Sequence, residues 1–148
     1  MSETNEIFNR NRVVYMEFER LYIQAKNSLN PRDISPFISA GRVASAILTD
    51  KGNVYLGVCI DTACTLGMCA ERNAVANMIT NGECKITKLV CVSAANEILT
   101  PCGACREYLM QLHESNGEME ILKSLEDFTT VTLNELLPDW WGKKQFNG

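Results

Sequence analysis

Val43-Ala-Ser-Ala-Ile-Leu-Thr49, then Asp50-Lys-Gly-Asn53, then Val54-Tyr-Leu-Gly-Val-Cys-Ile60: two apolar runs flank a turn that contains glycine. This arrangement predicts a β-hairpin. Downstream, Ala70, Ala74, Val75 and Met78 recur at helical spacing, so a helix is expected from Cys69 to about Thr80, ended near Asn81-Gly82. Residues 87–94 are an apolar, β-branched run that reads as a further strand. A second helix fits 103–114, strands fit 119–123 and 128–132, and a short helix around Leu133 to Leu137 stops at Pro138. Strand–helix–strand alternation of this kind implies an α/β fold, a three-layer domain around a mostly buried mixed sheet.

Working back from the hairpin, residues 31–41 hold two prolines and a glycine and read as a loop. Before it, Phe8, Val13, Val14, Met16, Phe18, Leu21 and Ile23 are spaced loosely for one face of a helix over about 7–28, broken at Asn30-Pro31. No internal repeat, low-complexity tract or Gly/Ser linker interrupts the chain. Residues 1–148 are therefore expected to form a single domain, an N-terminal helix followed by a core over about 43–138.

Composition narrows the function. The chain has 148 residues, 46% hydrophobic and 22% charged, and no apolar stretch near the roughly 20 residues a membrane helix needs. Its start, Met1-Ser-Glu-Thr-Asn-Glu, is polar and acidic rather than signal-like, so a cytoplasmic location is the expectation. Net charge is −4, and the runs Lys85-Ile-Thr-Lys88 and Lys143-Lys144 are too short for a basic stripe. A small-molecule substrate is expected, with no nucleic-acid polymer and no membrane as partner. Seven cysteines, an odd number, argue against a disulfide framework and for metal binding or catalysis by some of them. Others, such as Cys91 within Leu89-Val-Cys-Val-Ser93, fall in apolar runs that suit core packing.

Two segments carry the chemistry: Cys69-Ala-Glu-Arg72 and Pro101-Cys-Gly-Ala-Cys-Arg106, each at the start of a predicted helix. A cysteine two residues before a glutamate, followed later by Pro-Cys-x-x-Cys, is the pattern of zinc-dependent deaminases. Zinc takes four tetrahedral ligands, and a catalytic zinc keeps one place for water. Cys69, Cys102 and Cys105 would supply three thiolates. Helix starts favour thiolate over thiol through the dipole and the free N–H groups. Three thiolates leave a divalent ion with net negative charge, and Arg72 and Arg106 are placed to donate to the sulfurs and drain some of it. Glu71 would reach the water without being a ligand and serve as general acid and base. A structural zinc completed by Cys64 or Cys84, or a redox Cys-x-x-Cys, remains an alternative at this stage, and His113 reads as a surface residue of the second helix.

At these residues the chain resembles the small cytidine deaminase family, which includes blasticidin-S deaminase. The matching stretches are Leu48-Thr-Asp-Lys-Gly-Asn-Val-Tyr-Leu-Gly57, Leu66-Gly-Met-Cys-Ala-Glu-Arg72, Pro101-Cys-Gly-Ala-Cys-Arg-Glu107 and Glu135-Leu-Leu-Pro138. The resemblance implies an α/β/α sandwich on a five-stranded mixed sheet, commonly a homotetramer (a dimer being the other option) whose sites borrow residues from neighbours. It implies one zinc ion per subunit on Cys69, Cys102 and Cys105, Glu71 as proton shuttle, and the Ala70 carbonyl as acceptor for the substrate amino group. C-terminal aromatics cap a neighbour's pocket in this family, so Trp140 and Trp141 are candidates for that role or for simple packing. The departures all fall on the sugar or base pocket. The ribose-binding Asn-x-Glu is here Cys59-Ile-Asp61, leaving Asp61 as the polar candidate, and the base-packing aromatic is here Gly41, with Phe37 as its candidate substitute. Val43-Ala-Ser-Ala46 looks more like blasticidin-S deaminase. A cytidine or deoxycytidine deaminase, a blasticidin-S-type deaminase and an inactive zinc-stabilised binding protein are the three resulting expectations.

Overall fold

In a computed structural model describing residues 3–148, six strands form one sheet with helices on both faces. Helix α1 spans Glu3–Ser28, with Glu3 and Glu6 in its first turn and Lys26 in its last, each favourably placed in the helix dipole. Strand β1 (Arg32–Ser35) follows, then β2 (Ile38–Thr49) and β3 (Val54–Thr62). Helix α2 (Ala70–Thr80) leads to β4 (Ile86–Ser93), and α3 (Gly103–Gln111) leads through a 3-10 turn (Glu114–Glu118) to β5 (Glu120–Leu122). Strand β6 (Thr130–Thr132), helix α4 (Leu133–Leu136) and a C-terminal 3-10 turn (Lys143–Asn147) complete the chain.

Long β2 organises the sheet. It pairs antiparallel with β3 along one side, and on the other with β1 through its first residues and with β4 from Val43 onward. Strand β5 then adds parallel to β4, and β6 closes the far edge antiparallel to β5, so the sheet is mixed as expected. The side-chain alternation of β2 and β4 divides the core in two. Ala44, Ala46, Leu48, Val90 and Val92 face α1 and pack on Phe18, Leu21 and Ala25. Ile47, Leu89 and Cys91 face the other way, onto Ala74, Val75 and Met78 of α2 and Leu109 and Met110 of α3. These are the three layers. Truncating Phe18, fully buried, to alanine would cost about 3–5 kcal/mol.

The segment 31–41 departs from expectation. It is not a loop but strand β1 and the start of β2, which raises the strand count from five to six. Its proline and glycine signals are real but mark edges: Pro36 and Phe37 make the β1–β2 turn, and Gly41 sits in a β2 bulge with φ +83°. A Cβ at Gly41 would collide with the Asn30 carbonyl, so no side chain can occupy that position. Helix α3 also ends earlier than expected, at Gln111. His113 therefore lies outside it and caps the following 3-10 turn, its Nδ1 accepting from the Ser115 N–H at 3.0 Å. Nor do the apolar residues of α1 share one face: Phe18 and Leu21 are buried, whereas Phe8, Met16 and Ile23 are exposed.

Candidate active site

Helices α2 and α3 start close together, and the start of α2 lies over β3. Cys69 is the N-cap of α2 and Cys102 the N-cap of α3, both extended in the backbone, and Cys105 lies in the first turn of α3. Two features hold α2 in place. Gly57 on β3 lies under its first turn, where a Cβ would collide with the Ala74 amide and the Ala70 carbonyl. Asn73 Nδ2 also donates to the Val58 carbonyl at 2.6 Å. On the α3 side, Arg106 Nε donates to the Pro101 carbonyl at 2.8 Å and Nη1 to the Leu136 carbonyl at 3.2 Å. Arg106 thus braces the Cys102 turn through backbone carbonyls, in place of the expected donation to sulfur.

The result is a cluster of three sulfurs within 4.8 Å of one another, Cys69 to Cys102 being 3.8 Å. Cys105 is fully buried, Cys69 half-buried and Cys102 exposed, so the cluster has one open side. Their thiols are not equivalent. Burial pushes Cys69 up, and burial followed by the Glu71 charge pushes Cys105 up. At Cys102 burial acts upward too, but the Cys105 amide and thiol prevail and hold it below the usual thiol value. The Arg72 guanidinium lies against Cys69 and Cys105; although burial works to lower its pKa, these sulfurs raise it further. Its Nε is buried with no hydrogen-bond partner.

This donor set fits a zinc ion: three thiolates from two helix starts, an open fourth side, and a cation behind the sulfurs. Neither Cys64 nor Cys84 belongs to the cluster. Glu71, in the first turn of α2, is 5% exposed, and its carboxylate sits beside the Cys105 and Cys91 thiols. Cys91, on β4, is 1% exposed and packs in the core as its sequence setting implied. Its closeness to Glu71 was not legible in the chain, since nothing local links residue 91 to residue 71.

A cavity of about 310 Å³ opens next to Cys69 and Arg72, walled by Cys59, Asp61, Thr62, Thr65 and Met68. Asp61 is exposed on this wall. Cys59 is turned inward, its Sγ accepting from the Val43 N–H of the β2 bulge at 3.3 Å. Thr65 has φ +65°, a strained conformation for a β-branched residue, and neighbouring Leu66 is 82% exposed. Phe37 stands at the β1–β2 turn, 70% exposed and off the cavity wall, while its carbonyl accepts from the Ala63 N–H at 3.0 Å. Ala70 is fully buried, with its carbonyl toward Gly57. Trp140 and Trp141 lie further along α3, where both indole N–H groups donate to Glu107 at 2.8 Å.

Comparison with known proteins agrees with this geometry. The cytidine and deoxycytidylate deaminase zinc-binding region matches residues 24–117. A cytidine deaminase of Sporosarcina psychrophila is 29% identical over 135 residues, 89% of this chain and 96% of the relative. One from Mycobacterium tuberculosis is 32% identical over 101 residues, 68% of this chain and 72% of the relative. The crystal structure of cytidine deaminase from Mycobacterium tuberculosis superposes with a TM-score of 0.70 at 27% identity, covering 84% of this chain and 97% of that one.

Proposed function

Because the chain belongs to the family of the cytidine and deoxycytidylate deaminase zinc-binding region, we propose that it converts cytidine, deoxycytidine or a close cytosine-nucleoside analogue to the uridine form. It is a hydrolase of the cytidine deaminase type: water adds to the amino-bearing ring carbon and ammonia leaves. The observation that carries the reading is the convergence of Cys69, Cys102 and Cys105 within 4.8 Å, with the Glu71 carboxylate buried beside them.

Cys69, Cys102 and Cys105 would hold the zinc, which when bound would supply the Lewis acidity that makes water a nucleophile near neutral pH. The rest falls to the chain itself. Glu71 takes one proton from the attacking water and gives it to the ring nitrogen, then carries the second, from the hydroxyl now on the ring carbon, to the departing amine. Burial of Glu71 strengthens each of those contacts by keeping bulk water away. The Ala70 carbonyl, one peptide from Cys69, is the proposed acceptor for the amino group. Arg72 offsets the thiolate charge, and Asp61 offers its carboxylate to the sugar. With net charge −4 and no basic stripe, the substrate is a free small molecule. We place the enzyme in the cytoplasm, on its polar, acidic first residues, and, following the family resemblance, as a homotetramer.

Replacing Glu71 with alanine should leave zinc bound, by atomic absorption, and lower ammonia release at least about 100-fold; undiminished release would overturn the mechanism. A second reading, a blasticidin-S-type deaminase, is favoured by the Cys59 sulfur, which is spent on the Val43 N–H and leaves the wall without an amide for ribose. Parallel assays with cytidine and blasticidin S separate the two. Bound zinc with no ammonia from either would mark a zinc-stabilised binding protein instead.

A further inference from the structure

Helix α1 presents two different faces. Phe18, Leu21 and Ala25 dock on the sheet, and the described side chains N-terminal to the half-buried Val14 are all exposed. Arg12, Met16, Glu19 and Ile23 point outward, with Phe8 and, at the edge against its own body, Tyr15 completing an arc of about 100° at 3.6 residues per turn. The four apolar residues are 69%, 46%, 57% and 49% exposed for Phe8, Tyr15, Met16 and Ile23. Scattered exposed apolar residues need no explanation. This stripe is not scattered: about the midpoint between 15 and 16 it reads the same in both directions, apolar, charge, apolar, apolar, charge, apolar. The two charges are of opposite sign.

We propose that this face binds the same face of a second copy of the chain, the two α1 helices lying antiparallel across a two-fold axis near Tyr15 and Met16. A two-fold contact requires a patch that is complementary to itself. Here antiparallel overlay sets Phe8 against the partner's Ile23, Arg12 against the partner's Glu19, and the central Tyr15 and Met16 against each other. Two symmetry-related ion pairs follow from one pair of residues. Within the chain Arg12 and Glu19 are two helical turns apart, too far to pair, and their neighbours at three and four residues carry no opposite charge. Among the described residues neither joins an ion pair; those found belong to Lys88 with Glu17 and Glu120. The overlap from Phe8 to Ile23 is about 24 Å at 1.5 Å per residue. It would cover the free N-terminal half of each helix with the docked half of the other. At the proposed axis α1 is held to its own body by the Tyr15 and Phe128 rings, with centroids 3.9 Å apart.

The test uses charge reversal, because the positions face solvent and their exchange leaves the fold intact, as circular dichroism would verify. Arg12→Glu alone and Glu19→Arg alone should each weaken self-association about 10- to 100-fold in sedimentation experiments. The double variant, Arg12→Glu with Glu19→Arg, should return to within about threefold of the unaltered chain. Most diagnostic is an equimolar mixture of the two single variants, differently tagged. Each repels itself, yet together they form only opposite-sign pairs, so a one-to-one heterodimer should be captured. Unchanged association of the single variants, or a double variant and a mixture no better than the singles, overturns the proposal, as does an unaltered chain that does not self-associate. Deaminase turnover is not the readout, so failure here leaves the proposed function untouched.

Discussion

The metal corner and the wall of the adjoining cavity meet at Cys69, yet they are built in opposite ways. On one side, two helix starts, the Gly57 contact, the Asn73 hydrogen bond and the Arg106 brace all position three sulfurs and a buried glutamate. On the other, the wall from Cys59 to Met68 offers an exposed Asp61, a sulfur already engaged by the Val43 amide and a strained turn at Thr65. The first region has several independent supports for each group. The second has one carboxylate and some hydroxyls. If catalysis belongs to the first region and substrate choice to the second, as proposed, altering one need not alter the other.

Three substitutions test that contrast. The largest effect belongs to Cys105→Ala, which removes the fully buried ligand. Bound zinc should fall below about a tenth of an equivalent and ammonia release below detection, since structural ligand sets carry much of a metal's binding free energy. A variant that kept zinc and turnover would show that the corner is not the metal site. Next comes Asp61→Ala. It should raise KM for cytidine about tenfold with kcat within about twofold, the signature of lost uniform binding. A fall in kcat at unchanged KM would place Asp61 in the chemistry and erase the division between the regions. The smallest effect expected is for Phe37→Ala. A ring 70% exposed at the β1–β2 turn contributes little to affinity, and KM should change less than about threefold. A larger change would mean that the turn folds over the substrate.

The two regions also differed in how readable they were. The α2 start, the Cys-x-x-Cys turn and the hairpin's turn are local patterns, and each lies within one or two residues of its expected place. The 31–41 segment was misread because Pro31, Pro36 and Gly41 break strands in isolation. Here they fall at a strand start, a turn and a bulge, where pairing with β2 tolerates them. Gly41 looked like a lost aromatic from the sequence. The structure shows that its backbone, with φ +83° and the Asn30 carbonyl overhead, admits only glycine. The role of Cys59 was hidden for a related reason, since its partner is an amide 16 residues away in another strand.

The sequence alone pointed to the layered fold and to Cys69, Cys102, Cys105 and Glu71 as candidates for a metal site and its general base. Those depend on spacing within a few residues, which helix and turn geometry convert directly into direction. Only the tertiary structure decided which sulfurs converge across 33 residues, that Arg72 faces them while Arg106 braces carbonyls, and that Cys91 lies beside Glu71. Such contacts join strands and helices far apart in the chain. They depend on sheet register and on how closely α2 can approach β3, and no local pattern encodes either.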